Sequence, residues 1–178
     1  MLVIHIISTE DTSEFSKIYE GLEDATILIN PSKSACKDAI INEKERIIFI
    51  GHGTECGLLN QRLDGYIIDS KSVQFLRGKD IIGIWCSASC FATRYDLTGF
   101  FTSMFISNSD ELVDCGFKLF EGCDSEIKKQ NELFATRVNS FLLSDIPTKN
   151  WAINLYETLD KEEKFVYYNY EALYSTED

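Results

Sequence analysis

The 178-residue chain contains only two prolines, two histidines and two tryptophans, and its six cysteines include no Cys-x-x-Cys pair. Each scarcity excludes something. With two prolines and no Gly/Ser-rich linker, low-complexity tract or internal repeat, nothing divides the chain. A single domain over residues 1–178 is expected, with 44% hydrophobic residues to fill its core. Lysine and arginine number 17 against 29 aspartates and glutamates, a formal net charge of -12. Such a surface repels phosphate backbones and anionic lipid, so neither nucleic acid nor a membrane is expected as a partner. The apolar start, MLVIHIISTE, is too short to span a bilayer and lacks a basic leader and a small-residue cleavage site. It reads as a core strand. Without paired cysteine spacing or an export signal, the expectation is reduced thiols in a cytoplasmic protein, with no bound metal.

What is present alternates. Apolar runs LVIHIIS (2–8), ATILIN (25–30), RIIFIG (46–51) and DIIGIWC (80–86) read as strands, and FTSMFIS (102–107) as a fifth. Helical patterns separate them. TSEFSKIYEGL spaces Phe15, Ile18, Tyr19 and Leu22 along one face, PSKSACKDAIIN opens with helix-start residues, and SKSVQFLRG is a short helical stretch. GLLNQRLDGYIID reads as a hairpin between the third and fourth strands. Strands apolar on both faces and alternating with helices predict an α/β fold, a three-layer αβα sandwich with a mostly parallel central sheet. In the last third, Ile127, Phe134, Val138, Phe141 and Leu142 form one helical stripe, a second helix is expected over Lys149 to Leu159, and KFVYYNYEALY reads as a terminal strand.

Chemistry in open parallel sheets collects at the carboxyl ends of strands. Here the third strand ends at Gly51-His52-Gly53 and the fourth at Trp85-Cys86-Ser87. If the two strands are neighbours, their ends lie about 5 Å apart. A thiol and an imidazole at that spacing form the pair that cysteine nucleophiles need, a base beside the sulfur. Gly53 would let the backbone approach a substrate, and its N–H would help stabilise an oxyanion.

The segments IIFIGHG (47–53) and DIIGIWCSA (80–88) resemble the caspase, legumain and gingipain group of cysteine peptidases (clan CD), which have the caspase-haemoglobinase fold. In that group an apolar strand ends in His-Gly and a later one ends in the nucleophilic cysteine. The resemblance spans roughly Leu2 to Ser107. It implies a caspase-like domain and an endopeptidase acting on a peptide or protein substrate without a cofactor, self-association being left open. It also implies His52 as general base and acid, Cys86 as nucleophile, and backbone N–H groups of Gly53 and Cys86 as oxyanion donors, with Ser87 beside them at the substrate. One feature departs from the family: Trp85 stands before Cys86 where a small residue is usual. Cys90, which follows Ser89, is therefore a rival nucleophile. Cys86 is preferred because it lies just past its apolar run, as His52 does, whereas Cys90 should fall in the first turn of the next helix.

Other readings compete. A non-catalytic interaction module could keep the caspase-like scaffold, and a flavodoxin-like ligand binder would share the sheet. A phosphate loop fits poorly, because Gly51-x-Gly53-x-x-x-Gly57 is one residue too long for the dinucleotide fingerprint and leads into a hairpin. Zinc held by His52, Cys56, Cys86 and Cys90 lacks the usual ligand spacing. Cys36, Cys115 and Cys123 are expected in packing roles, and His5 as a hydrogen-bonded core residue. Asp110 and Glu111 either face inward, favouring a basic residue at the substrate's cleavage position, or mark a helix beginning at Asn108 or Ser109.

Overall fold

The computed structural model describes residues 1–159 and 165–176. Along the chain, β1 (Leu2–His5) leads into α1 (Glu10–Glu14) and a 3₁₀ turn over Phe15–Tyr19, followed by β2 (Thr26–Ile29) and α2 (Lys33–Asn42). Next come β3 (Arg46–Ile50) and three short strands, β4 (Gly53–Thr54), β5 (Gly57–Leu59) and β6 (Tyr66–Ile68). After these lie α3 (Val73–Leu76), β7 (Asp80–Ile84), α4 (Ala88–Tyr95) and β8 (Gly99–Thr102). The remainder is α5 (Ser109–Asp114), α6 (Cys123–Leu143), α7 (Trp151–Glu157), α8 (Val166–Glu171) and β9 (Leu173–Ser175).

Six strands form one sheet in the order β2-β1-β3-β7-β8-β9. All neighbouring pairs are parallel except β8 with β9. The third and fourth apolar runs are therefore direct neighbours, with Arg46 opposite Asp80 and Ile50 opposite Ile84. The strands β4, β5 and β6 form a separate antiparallel sheet, inserted where the hairpin is expected.

Alternation along the central strands sends side chains to two cores. Leu2, Ile4, Phe49, Ile81 and Trp85 pack with Cys36 and Ile40 of α2 and Phe91 of α4. Val3, Ile48, Ile50, Ile82 and Ile84 pack on the other face with Phe15, Ile18 and α6 residues Phe134, Val138 and Leu142. The chain is thus mixed α/β, with helices flanking a mostly parallel sheet, an arrangement compatible with three αβα layers.

Three expectations shift. The fifth strand is Gly99–Thr102, not 102–107. Thr102 ends it: the hydroxyl accepts from Trp85 N–H (3.1 Å) and donates to the Trp85 carbonyl (2.8 Å), taking the place of ladder bonds. The helix expected over TSEFSKIYEGL is the five-residue α1 plus the 3₁₀ turn. Lastly, most of KFVYYNYEALY is helix α8, with only Leu173–Ser175 as strand, and Lys164 lies outside the described residues. Helix wins there because Val166 and Tyr170, four apart, both enter the core below α6. Asn169, on the same helix, binds Ile106 at both backbone groups, accepting at 2.8 Å and donating at 3.0 Å. The helix expected over Lys149 to Leu159 is present as α7, preceded by a 3₁₀ turn over Thr148–Asn150.

Candidate active site

His52 and Cys86 follow adjacent parallel strands and line one small cleft. The cleft measures about 20 Å³, room for about one water molecule. Its walls are Gly51 and His52 after β3, Ile84, Trp85 and Cys86 at the end of β7, Thr12 and Phe15 after β1, and Thr102, Phe105 and Ser107 at and after the end of β8. Gly51 lies at φ 150°, a value that favours glycine, and a Cβ there would come within 3.0 Å of Ile6.

Trp85 turns away from Cys86. Its ring joins the core beneath α4, edge-on to Phe49 and Phe91, and its indole N–H donates to the Thr54 carbonyl at 3.2 Å. Two glycines make room for it. A Cβ on Gly53 would sit 2.1 Å from Trp85 Cδ1, and one on Gly83 2.7 Å from Trp85 Cζ3. Glycine after the histidine is thus required by the tryptophan that precedes the cysteine. Neither residue alone carries that information.

The imidazole of His52 is held from the first strand: its Nε2 is hydrogen-bonded to the Thr9 hydroxyl at 2.8 Å. Thr9 is the residue that caps α1. Nothing in the acidic stretch STEDTSEF marks Thr9 as part of a site, because its partner is 43 residues away.

Cys86 is half-buried, and its thiol donates to Glu111 Oε1 (3.5 Å) and the Phe105 carbonyl (3.8 Å). Desolvation first, and then the negative charge of Glu111, push the thiol up to about 12. In this arrangement the sulfur carries its proton. Glu111 meets both of the alternatives open to it. It stands at the third position of α5, where its N–H donates to the Asn108 side chain at 2.9 Å, and its carboxylate also faces the sulfur. The second carboxylate oxygen accepts from the N–H (2.7 Å) and hydroxyl (2.8 Å) of Ser107.

The remaining candidates lie elsewhere. Ser87 adopts left-handed φ 65° and donates its N–H to the Ser103 carbonyl (3.1 Å). Cys90 is exposed within the first turn of α4 and lines a separate cavity with Arg94 and Ser103. Cys56 is also exposed, at the β4–β5 turn, while Cys36 and Cys123 are buried and Cys115 is half-buried. His5 is fully buried, with Nε2–H donating to the Thr12 carbonyl (2.8 Å) and Nδ1 accepting from the Tyr19 hydroxyl (3.0 Å). Among the described residues, no group of three or more His, Cys, Asp and Glu side chains is placed to hold a metal, and no helix is long and apolar enough to cross a membrane. No family model and no curated protein matches this chain.

Proposed function

We propose that the chain is a cysteine peptidase of caspase-like type, with Cys86 as nucleophile and His52 as general base. The observation that carries this reading is the shared cleft: His52 and Cys86, just past the ends of hydrogen-bonded neighbouring strands, both line it, and Trp85 borders it while its ring packs into the core on the other face. In the proposed reaction, Cys86 Sγ attacks the peptide carbonyl carbon as its proton passes to His52. The imidazolium then protonates the departing amine, and water cleaves the resulting thioester, releasing the acid and restoring the thiol. Thr9 is a positioning residue for the imidazole. Substrate must displace the Cys86–Glu111 contact, because a carboxylate beside the sulfur opposes thiolate formation.

One observation favours a second reading, a non-catalytic interaction module on the same scaffold. The thiol sits near 12 in a cleft with space for about one water, the reverse of an activated cysteine. Incubating the protein with a mixed peptide library, followed by mass spectrometry, separates the two. The peptidase reading expects cleavage that falls by at least about 10²-fold in His52→Ala and in Cys86→Ala and survives in Cys90→Ser. Absence of cleavage by the folded wild-type protein supports the module. Loss in Cys90→Ser with retention in Cys86→Ala would transfer the nucleophile.

A further inference from the structure

A second cavity lies under α2, on the sheet face opposite Cys86, and the proposed peptidase chemistry makes no use of it. It measures about 240 Å³ and is formed between α2, β6 and α3. Residues Lys33, Cys36, Lys37 and Ile40, spaced 3, 4 and 7 along α2, line one side, as the helical repeat dictates. Ile67, Ile68 and Phe75 line the other. The interior is apolar: Cys36, Ile40, Ile67 and Ile68 are all at most 4% exposed.

The rim is basic. Lys33, Lys37 and Lys71 stand around this one opening in a chain with formal net charge -12. Their neutralisation is incomplete. Lys33 pairs with Asp69 at 2.6 Å and donates to the Tyr66 carbonyl, and Asp69 also accepts from the Lys71 backbone N–H. Lys37 rests over the Phe75 ring, 5.2 Å from its centroid. Among the described residues, neither Lys37 nor Lys71 has a carboxylate within ion-pair distance. Lys33 and Lys71 thus both act on the single Asp69 carboxylate, and Lys37 is engaged by the Phe75 ring alone among these contacts. An apolar interior of this volume takes on the order of eight water-sized groups, and long lysine stems can swing their charges over its mouth.

We propose that this cavity binds a small amphipathic carboxylate, whose hydrocarbon or aromatic body lies against Ile40, Ile67 and Phe75 and whose carboxylate is held by Lys37 and Lys71. Burial of the apolar body supplies the attraction, and the ammonium pair selects an anion over a neutral molecule of the same shape. The proposal is independent of the role assigned to Cys86. Recognition by bare phosphate chemistry would not use the apolar interior.

The test is titration of the isotope-labelled protein with hexanoate and benzoate, followed through backbone amide shifts, alongside 1-hexanol and inorganic phosphate. Shifts should concentrate in α2, β6 and α3. The Lys37→Glu/Lys71→Glu double variant, at two exposed positions and with its fold checked by a native-like amide spectrum, should weaken hexanoate binding by on the order of tenfold or more. Lys118→Glu, an exposed lysine outside the cavity, should leave it within about twofold. The neutral alcohol should bind more weakly than hexanoate by a similar factor to the double variant. The idea is overturned if neither carboxylate binds at millimolar concentration, if the double variant binds as tightly as wild type, or if phosphate shifts the same amides as strongly as hexanoate. Equal binding of 1-hexanol would reduce the cavity to an unselective apolar pocket and would also refute it.

Discussion

Trp85 and Cys86 are consecutive residues at the end of one strand, yet they enter opposite faces of the sheet that are built by different rules. On the tryptophan side every neighbour is fitted to the ring. Gly53 and Gly83 give up their side chains to it, Phe49 and Phe91 stack edge-on, and the indole N–H is satisfied by Thr54. On the cysteine side the same strand end opens onto a small cleft walled largely by apolar residues such as Phe15, Ile84 and Phe105, with His52 and Cys86 bound at its edge to Thr9 and Glu111. The first side is filled by packing, and the second is where the thiol and the imidazole stand. A bulky residue before the cysteine is therefore compatible with an open site, because alternation along the strand removes it to the other layer.

Truncation of the packed side carries the largest expected effect. Trp85→Ala should cost about 3–5 kcal/mol in urea unfolding, since it leaves a large hole against Phe49 and Phe91. A loss under about 1 kcal/mol would mean the ring is not a packing centre. An acid titration probes the cysteine side, whose core His5 shares. Burial, offset in part by the bond to the Thr12 carbonyl, lowers His5 from 6.5 to about 4. The unfolded chain therefore binds the extra proton between these values, so this contribution is fully present above pH 6.5 and is lost as pH falls toward 4. The loss amounts to about 3 kcal/mol at most. In His5→Gln the slope of unfolding free energy against pH should flatten by up to one proton over that window, and an unchanged slope would refute the assignment.

Gly53→Ala should destabilise by about 1–3 kcal/mol, because its methyl carbon would overlap Trp85. In a Trp85→Ala background, which removes the clashing ring atoms, that cost should shrink to what the Gly57 carbonyl contact imposes, and a double-mutant cycle measures the coupling. Glu111→Gln sharpens the other side: removing the carboxylate charge should bring the Cys86 thiol down from about 12 by on the order of one unit. The thiolate absorbance of a variant in which the other five cysteines are serine would show it. No movement would leave desolvation as the whole cause. Smallest of all, Cys86→Ala should alter stability by about 1 kcal/mol or less, since the thiol lies at a cleft edge and not in a packed core.

The four runs that became β1, β2, β3 and β7 were readable because burial in the sheet demands uninterrupted apolar runs, of which IIFIG and DIIGI are the fullest. The placement of His52 and Cys86 at strand ends followed from the same runs. Residues 102–107 and 164–174 misled for a shared reason: aromatic, β-branched segments satisfy strand and helix preferences alike until a partner selects one. The partner was the Trp85 backbone for Thr102, and the Ile106 backbone for Asn169. Thr9 carried no local mark of a role at His52, and Glu111 was marked only as facing inward or opening a helix, with no sign of its contact to Cys86, because a single hydroxyl or carboxylate acquires chemistry only from what folding sets beside it.

Local pattern by itself determined the mixed α/β class of this protein, four of its parallel strands and the two strand ends at which a thiol and an imidazole stand, since hydrophobic periodicity is a property of neighbouring residues. Tertiary structure decided which side chains meet across the sheet: Trp85 with Gly53, Glu111 with Cys86, Thr9 with His52, and three lysines around one apolar cavity. Those contacts join residues that are distant along the chain, and their energies depend on distance, burial and charge in three dimensions.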